Sequence, residues 1–481
     1  MSTRERLTFG HGVLPTVMRR PALAAAALAH EPQPVRFSRL ETWDWGWGGL
    51  LIFSILLFFR PQDQIAALGA LHVSDAAAVI GLVAMVMINV SRGQAVIRLT
   101  PELAGVLALG GFILIGVPFS FWAAGSLQVF TSYYVQVALI FMLMVNTVTS
   151  PRRVERICWV IVLAFGYVAA RTIFDYMRGV NLVEGHRASG PVGGFFANPN
   201  DLALNLVAFL PLAMMYVQRP GPVLKRTVSL GITLLMLTAL VLTKSRSGQL
   251  GAAAMLVTYL VFTRSLRPGT LIGLVLAGLI ILPSLPSSYW ERMSSIVNEE
   301  EDATKSSQER RMLMEQAWQI FLDNPIFGIG AGQFQNYTDP GRAAKWRVTH
   351  NALLQVAAEL GVFALIAFGF LIVRAFGAAW WTRKTLSWIY VKSRLKGARA
   401  DPADGLDPDE RRFLQTTSAA LIAALAGWFV CAMFASVAFN WTFYYLLGLA
   451  VTSRDIVRLR ARAYEKARQL ARAAGPKAVA A

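Results

Sequence analysis

Charged residues are scarce in this chain. Only 15% of its 481 residues are Asp, Glu, Lys or Arg, 55% are hydrophobic, and the mean hydropathy is +0.48. A soluble protein of this length carries nearer a quarter charged residues. The long apolar runs can each cross a bilayer core of about 30 Å, and they should be helices because lipid satisfies no backbone polar group. The composition therefore excludes an ordinary soluble domain and predicts an all-α polytopic integral membrane protein.

Cysteine is equally scarce, and no cleavable signal peptide is recognisable. Cys158 and Cys431 each lie inside an apolar run without metal-ligand spacing, which indicates packing residues and predicts neither a disulfide nor a metal site. We expect no cofactor. The first forty residues contain no long apolar core followed by a small-residue cleavage site. Residues 1–42 are therefore predicted to form a basic cytoplasmic tail.

The apolar runs and the basic residues between them predict a topology. About twelve spans are expected, at Trp45–Phe59, Ser74–Val90, Glu102–Phe119, Val129–Val148, Ile157–Met177, Asp201–Val217, Val228–Thr243, Gly248–Thr263, Thr270–Leu285, Ala352–Phe376, Thr417–Ala435 and Phe439–Val451. They divide the chain into an N-terminal bundle of about nine helices (43–285), a large periplasmic loop (286–351), C-terminal helices (352–452) with a cytoplasmic loop (379–414), and a cytoplasmic basic tail (453–481). Alternation from a cytoplasmic N-terminus puts most cations on one side, as the positive-inside rule requires. This placement explains the net charge of +18 without nucleic-acid binding, for which no basic stripe with interleaved aromatics is present.

Some cations fall on the other, periplasmic side, against the topogenic trend, and these are functional candidates. Arg187 lies in HRASG, ahead of FANPND, in which Asn200 or Asp201 would cap the next helix. Lys244 and Arg246 lie in the tight connection TKSRSG, where a guanidinium next to a helix N-terminus suits a phosphate group. The alternatives are a purely capping role for the asparagine and a snorkelling interfacial arginine.

The large polar loop contains three further candidates, Arg292, Arg310 and Arg311. The Arg310–Arg311 pair opens an amphipathic pattern that is typical of a helix lying on the membrane surface. The apolar positions of that pattern are Met314, Ala317, Trp318, Phe321 and Leu322, and Asp323-Asn324-Pro325 should end the helix. Arginines at a helix start oppose its dipole, so an anion is expected nearby. Either a ligand phosphate or the side chains of Glu309 and Glu315 could supply it.

His350 ends the polar loop. Asn351 is a plausible N-cap for the helix from Ala352, which leaves His350 just outside a helix N-terminus. That position lowers a histidine pKa, so a neutral imidazole is available to accept a proton, although a lone histidine can equally be structural. Glu359 should point away from it as a packing or supporting polar group. The glycines from Gly328 to Gly332 lack the preceding strand of a dinucleotide motif and are expected to let the loop backbone pack closely.

An ordered set of short patterns resembles the O-antigen ligase and polymerase superfamily of bacterial envelopes. They are RASG…NPND at Arg187–Asp201, SRSG at Ser245–Gly248, ERMSSI at Glu291–Ile296, R-x14-P-[IL]-x-G-x-G at Arg310–Gly330, and H-N-x-L-L-x-x-x-x-E-x-G at His350–Gly361. The similarity covers about Arg187 to Gly361 strongly and the rest by topology alone. Each pattern is weak by itself, but the ordered set is fairly specific.

The resemblance implies a metal-independent, membrane-embedded glycosyltransferase of the bacterial inner membrane with its site facing the periplasm. The donor would be a glycan on undecaprenyl diphosphate, and the acceptor a hydroxyl of lipid A–core or of another glycan. By the same resemblance, Arg246 and then Arg310 would bind the diphosphate, and His350 would assist the acceptor. Arg311 is an alternative to Arg310, while Arg187, Arg292, Asn200, Lys244 and Arg347 would support binding.

Two other functions remain open at this stage. Ligase and polymerase differ only in the acceptor, and we lean narrowly towards ligase-like transfer. A transporter of lipid-linked sugars is less favoured, because transporters put ionisable groups near the bilayer midplane. Here the charges lie at the outer boundary, and Arg171 and Asp175 are spaced to pair with each other.

Overall fold

The computed structural model describes residues 44–61, 73–93, 95–191, 196–263, 290, 306–338, 348–387 and 406–474, and they are almost entirely helical. Helices α1 to α14 are Trp45–Phe59, Val73–Ser91, Pro101–Gly116, Ala123–Val129, Val135–Thr147, Pro151–Met177, Pro199–Gln218, Val223–Leu242, Arg246–Thr263, Ser306–Asp323, Phe334–Thr338, Ala352–Thr385, Pro408–Ala432 and Trp441–Ala474. Two-residue strands β1 (Leu182–Val183) and β2 (Arg187–Ala188) pair antiparallel between α6 and α7. The prediction of an all-α polytopic protein is confirmed.

Seven helical segments of the described ranges are long and apolar enough to cross a membrane. They are Pro101–Phe119, Ala123–Thr147, Pro151–Met177, Pro199–Gln218, Val223–Leu242, Ala352–Thr385 and Pro408–Ala432. Shorter apolar helices occupy Trp45–Phe59 and Ala76–Ser91. Helices also cover the predicted spans Gly248–Thr263 and Phe439–Val451, whereas Thr270–Leu285 lies outside the described residues. The count of twelve spans and the periplasmic side of the loop therefore stay predictions.

Several helices begin in the same way, with a polar cap followed by proline. Thr100 and Ser150 accept hydrogen bonds from backbone N–H groups one turn on, and each precedes a proline. At the start of α7 the cap is Asn198, whose side chain accepts from the N–H of Asn200 at 2.8 Å. The expected cap at Asn200 or Asp201 was wrong. Proline suits the first helical position, so the capping oxygen comes from the residue before it.

The core is built around α7 and α13, which are buried along most of their length. Aromatic rings fill the space between α1, α6, α7 and α14. Phe58 and Trp441 meet edge to face with centroids 4.9 Å apart, and Phe165 and Phe209 are also 4.9 Å apart. Because lipid tails are as apolar as these side chains, close packing rather than escape from water stabilises the contacts. The bundle therefore gives the helix ends fixed relative positions.

Long helix α12 is broken at Gly361, which has φ 78° and ψ −171°. The loop after α10 runs alongside this break and completes its hydrogen bonding. Val362 N–H donates to the Pro325 carbonyl at 2.8 Å, and Gly330 N–H donates to the Glu359 carbonyl at 2.8 Å. A side chain at Gly328 would overlap the Glu359 backbone. The prediction that these glycines let the loop backbone pack closely is confirmed.

Helix α10 exists, as predicted, and it has two apolar faces, one of which packs against α12. Leu313, Ala317 and Ile320 are buried in a cluster with Ala358 of α12, so this face packs on protein. Trp318 and Leu322 of the expected set are exposed. The pattern Met314, Ala317, Trp318, Phe321 and Leu322 combined residues from two faces, because both the packed face and the outer face of α10 are apolar.

An ion-pair network with a buried carboxylate joins the start of α3 to the interior of α12 and α14. Glu102 is fully buried and accepts from Arg374 Nε at 2.7 Å and from Arg454 Nη1 at 2.6 Å. Arg454 also pairs with Asp455, which in turn accepts from Arg98 at 3.0 Å. A buried carboxylate is tolerated when it is paired and hydrogen-bonded in this way.

Candidate functional site

Arg187 ties the strand β2 to the starts of α7 and α9. Its side chain is only 4% exposed, and its Nε donates to the carbonyl oxygen of Thr243 at 3.1 Å. Its Nη2 donates to Asn200 Oδ1 at 2.8 Å, and the same oxygen accepts from Ser245 Oγ at 2.9 Å. Glu184 lies 3.5 Å from its Nη1. Two of the predicted binding residues, Arg187 and Asn200, are therefore in direct contact.

Lys244 and Arg246 lie in the tight turn between α8 and α9, beside Arg187. Lys244 has φ 47°, in the left-handed region, and Arg246 is the first residue of α9. Both side chains are buried, and Ser245 Oγ accepts from the Gly248 N–H at 3.3 Å as a helix cap. A helix N-terminus is itself partly positive. Three cationic residues thus lie at or next to the N-terminus of one helix, a position that favours an anion.

The same short stretch at the end of α13 holds this turn and the histidine loop. Cys431 Sγ donates to the Ser247 carbonyl oxygen at 3.4 Å. Ser436 Oγ accepts from the His350 N–H at 3.0 Å and is 2.7 Å from Thr349 Oγ1. Asn351 Nδ2 donates to the Met433 carbonyl at 3.3 Å. Residues 431–436 therefore anchor the loops that carry Arg246 and His350 at one end of the bundle.

His350 has φ 51°, a left-handed conformation that is uncommon for a residue with a side chain. Asn351 caps α12 as predicted, with its Oδ1 accepting from the N–H groups of Leu353 and Leu354. Burial lowers the pKa of His350 to about 4, and the nearby positive charge of Arg310 adds to the effect. The imidazole is therefore neutral at pH 7.

The two adjacent arginines that start the amphipathic pattern differ in their exposure. Arg310 is half-buried and close enough for its charge to act on His350, whereas Arg311 is exposed. The geometry brings Arg310 and His350 together and brings Arg187, Asn200, Lys244 and Arg246 together. Arg292 and Arg347 lie outside the described residues.

Glu359 holds the glycine-rich loop in place. Its side chain is 3% exposed, and its Oε2 accepts from the Gly332 N–H at 2.8 Å. Gln355, one turn earlier, accepts from the Ala438 N–H at 3.2 Å. This agrees with the expected supporting role of Glu359, whose carboxylate bonds backbone rather than His350.

Sequence reasoning missed Ser436 and Cys431 as anchors. Both lie more than 80 residues from His350 along the chain, in or next to an apolar run, and neither belongs to a motif. Only the packing of α13 against α9 and α12 brings them to the site. Within the described residues, no three His, Cys, Asp or Glu side chains are grouped so as to hold a metal ion, and metal independence stays a prediction.

Fold and site together define a polytopic helical membrane protein in which residues 431–436 contact both a segment with buried cations and a loop with a neutral histidine. Comparisons with known proteins support the same kind of site. Residues 231–369, which include Arg246, Arg310 and His350, match the model of a family described as O-Antigen ligase. The chain is also 24% identical over 303 residues to the teichuronic acid biosynthesis protein TuaE of Bacillus subtilis (strain 168). That alignment covers 57% of this chain and 60% of the relative, so the chain spans three fifths of the relative's length. The resemblance to the O-antigen ligase and polymerase superfamily is confirmed.

Proposed function

We propose that this protein transfers a glycan en bloc from undecaprenyl diphosphate to an acceptor hydroxyl at the outer face of the bacterial inner membrane. One observation carries the proposal: residues 431–436 anchor both the Arg246 turn and the His350 loop. The residues that would bind the diphosphate and the residue that would accept the proton are thus anchored by one short stretch of the chain. Similarity to the O-Antigen ligase family over 231–369 supports the reaction class.

The arginines and lysine would bind the diphosphate. Transfer breaks the bond between the anomeric carbon and the diphosphate oxygen, which leaves with the electron pair. Positioned cations that neutralise this developing charge supply electrostatic stabilisation, usually the largest single contribution to catalysis. Arg246 would be the principal ligand, with Arg310 second, and Arg187, Lys244 and Asn200 would support them. Arg292, Arg311 and Arg347 are kept as weaker candidates for the same role.

His350 would accept the proton of the acceptor hydroxyl as its oxygen attacks the anomeric carbon, in line with the leaving diphosphate and with inversion. A pKa of about 4 keeps the imidazole neutral in the free protein but makes it a weak base. A diphosphate bound at Arg310 would offset the positive charge that lowers this pKa. Donor binding would therefore raise the pKa of His350 towards its ordinary value and prepare it to take the proton.

The test is glycan transfer by the purified protein from a defined undecaprenyl-diphosphate glycan. Arg246→Ala and His350→Ala should each lower transfer at least about a hundredfold, the lower end of general base catalysis. His186→Ala is the matched control, because this histidine lies on the same predicted side and the only described hydrogen bond of its ring is to the Glu184 carbonyl. Full activity in both site variants would end the proposal.

Polymerisation of lipid-linked repeat units is the second candidate. It is kept because the relative TuaE is named for teichuronic acid biosynthesis rather than for ligation. The acceptor alone distinguishes the two reactions. In a deletion strain, long chains left on the lipid carrier would indicate a ligase, and single repeats would indicate a polymerase.

A further inference from the structure

We propose that Glu184 competes with the lipid-linked diphosphate for Arg187: its carboxylate is displaced when the donor binds and returns when undecaprenyl diphosphate leaves. The inference rests on the proposed function, because Arg187 is one of the residues that would bind the diphosphate. Glu184 would thereby help to release the product of each transfer.

The guanidinium group of Arg187 faces neutral oxygens on two sides and a carboxylate on a third. Its Nε donates to the Thr243 carbonyl oxygen at 3.1 Å, and its Nη2 donates to Asn200 Oδ1 at 2.8 Å. Its Nη1 lies 3.5 Å from Glu184 Oε1. Because Arg187 is only 4% exposed, we expect a phosphate group that binds it to take the place of this carboxylate rather than to lie beside it.

The pair between Glu184 and Arg187 is weak enough to exchange. Its separation of 3.5 Å is longer than the roughly 2.7–2.9 Å of a charge-assisted hydrogen bond. The Glu184 side chain is also 41% exposed, so water screens the attraction. A displaced Glu184 carboxylate remains in contact with water, and its exchange for a phosphate group therefore costs little.

The backbone that carries Glu184 is held by bonds that do not involve this pair. Glu184 lies in the turn between β1 and β2 and has φ 55°. At the base of this hairpin the Ser189 N–H donates to the Asn181 carbonyl oxygen at 3.0 Å, and Asn181 Nδ2 donates to Asp175 Oδ2 at 2.9 Å. Rotation of the Glu184 side chain is therefore enough to uncover Arg187, while β2 stays in place.

Asp175, the carboxylate at the base of the same hairpin, lacks these properties. Its side chain is only 4% exposed, and it accepts from Arg171 Nε at 3.0 Å as well as from Asn181. A buried carboxylate with two such partners is costly to move. Of these two carboxylates, Glu184 is therefore the one that is suited to exchange.

The charge of the product explains why a competitor is useful. Transfer breaks the bond between the anomeric carbon and the diphosphate oxygen, so the terminal phosphate of the product gains a second ionisable oxygen. The second pKa of a phosphate monoester is about 6, so this oxygen is mostly charged at pH 7. The cationic residues therefore attract the product more strongly than the donor. A nearby carboxylate that replaces it on Arg187 would promote its release.

Native mass spectrometry of the detergent-purified full chain, with undecaprenyl diphosphate as the probe, tests the proposal. Glu184→Gln should tighten binding about three- to fivefold, the range expected when an exposed ion pair no longer competes. In an Arg187→Gln background the same change should have no effect, because the carboxylate then has no cation to compete for. Asp323→Asn is the matched control, since it neutralises an exposed carboxylate on the same predicted side that belongs to no described ion pair.

Tighter binding by Glu184→Gln but not by Asp323→Asn supports the competition, and this comparison is valid even if Arg187→Gln fails to fold. Unchanged binding by Glu184→Gln, or an equal gain by Asp323→Asn, would overturn it. The proposed function is tested separately by Arg246→Ala. Weaker binding by Arg246→Ala with no change by Glu184→Gln would refute the competition alone, whereas a wild-type chain that retains no undecaprenyl diphosphate would refute both.

Discussion

Replacing Gly361 by alanine tests the link between the break in α12 and the loop that closes over it. With φ 78° and ψ −171°, Gly361 occupies a backbone region that is almost exclusive to glycine. An added methyl carbon would also lie 2.5 Å from the Ile326 carbonyl carbon and 2.8 Å from the Pro325 oxygen, and closer still to the Ile326 oxygen. These atoms belong to backbone, so no side-chain rotation relieves the overlap.

The expected destabilisation follows from two contributions. The backbone conformation alone costs about 1–3 kcal/mol for a residue with a side chain. Moving the loop away weakens the bonds that Ile329, Gly330 and Val362 make across the break, each worth about 1 kcal/mol. Gly361→Ala should therefore lower the free energy of unfolding by at least about 3 kcal/mol. Transfer activity should fall with it.

Gly369→Ala is the matched control on the same helix. A methyl group there meets no other atom within 4 Å, and the backbone is helical, so the substitution should be neutral or stabilise by about 0.5–1 kcal/mol. Denaturant titration of both detergent-purified variants provides the comparison. If Gly361→Ala unfolds at the wild-type midpoint, the break at Gly361 is not required, and the account of the glycine motif fails.

Three more predictions concern the site and the opposite end. Ser436→Ala removes two contacts to the His350 loop, each worth about 1 kcal/mol, and should lower transfer about tenfold or more, whereas Ser418→Ala inside α13 should leave transfer unchanged. Arg310→Gln removes a positive charge that disfavours the imidazolium form, so the pKa of His350 should rise from about 4, although burial keeps it below 6.5; NMR titration of the imidazole measures the shift, and an unchanged pKa would contradict it. Glu102→Gln removes the buried carboxylate that Arg374 and Arg454 share and leaves Arg454 with Asp455 alone, so it should destabilise by about 3 kcal/mol in the same denaturant assay; no loss would mean that the network is not stabilising.

Local features were predictable from the sequence, because they depend on neighbouring residues. Composition indicated membrane helices, and the cap at Asn351 and the pair Arg171–Asp175, which lie 3.0 Å apart, follow from spacing alone. The cap at Asn198 was missed although it is also local. By residue type Asn200 and Asp201 are as good capping residues as Asn198. Only the preference of Pro199 for the first helical position selects Asn198 as the cap.

Non-local features were not predictable in the same way. The pattern in α10 contains two apolar faces, and a single sequence does not say that Leu313 and Ile320 meet Ala358 of α12. The contact of Ser436 with His350 depends on how α13 ends against α12. The motifs did, however, predict Arg187 and Asn200 as members of one set of candidates, and these two residues are in contact.

The partners of the buried arginines differ between the two ends of the bundle, which indicates different roles for the two ends. At one end Arg374 and Arg454 share the fully buried carboxylate of Glu102 as a counter-charge. At the other end Arg187 donates to the carbonyl oxygen of Thr243 and the amide oxygen of Asn200. Arg187 has an acidic partner as well, but Glu184 is 3.5 Å away and its side chain is 41% exposed, so water screens this pair. Glu102 is fully buried, so the pair it forms with Arg454 is screened much less. Arg187 can therefore exchange its carboxylate for an anionic ligand at a lower cost than Arg454 can.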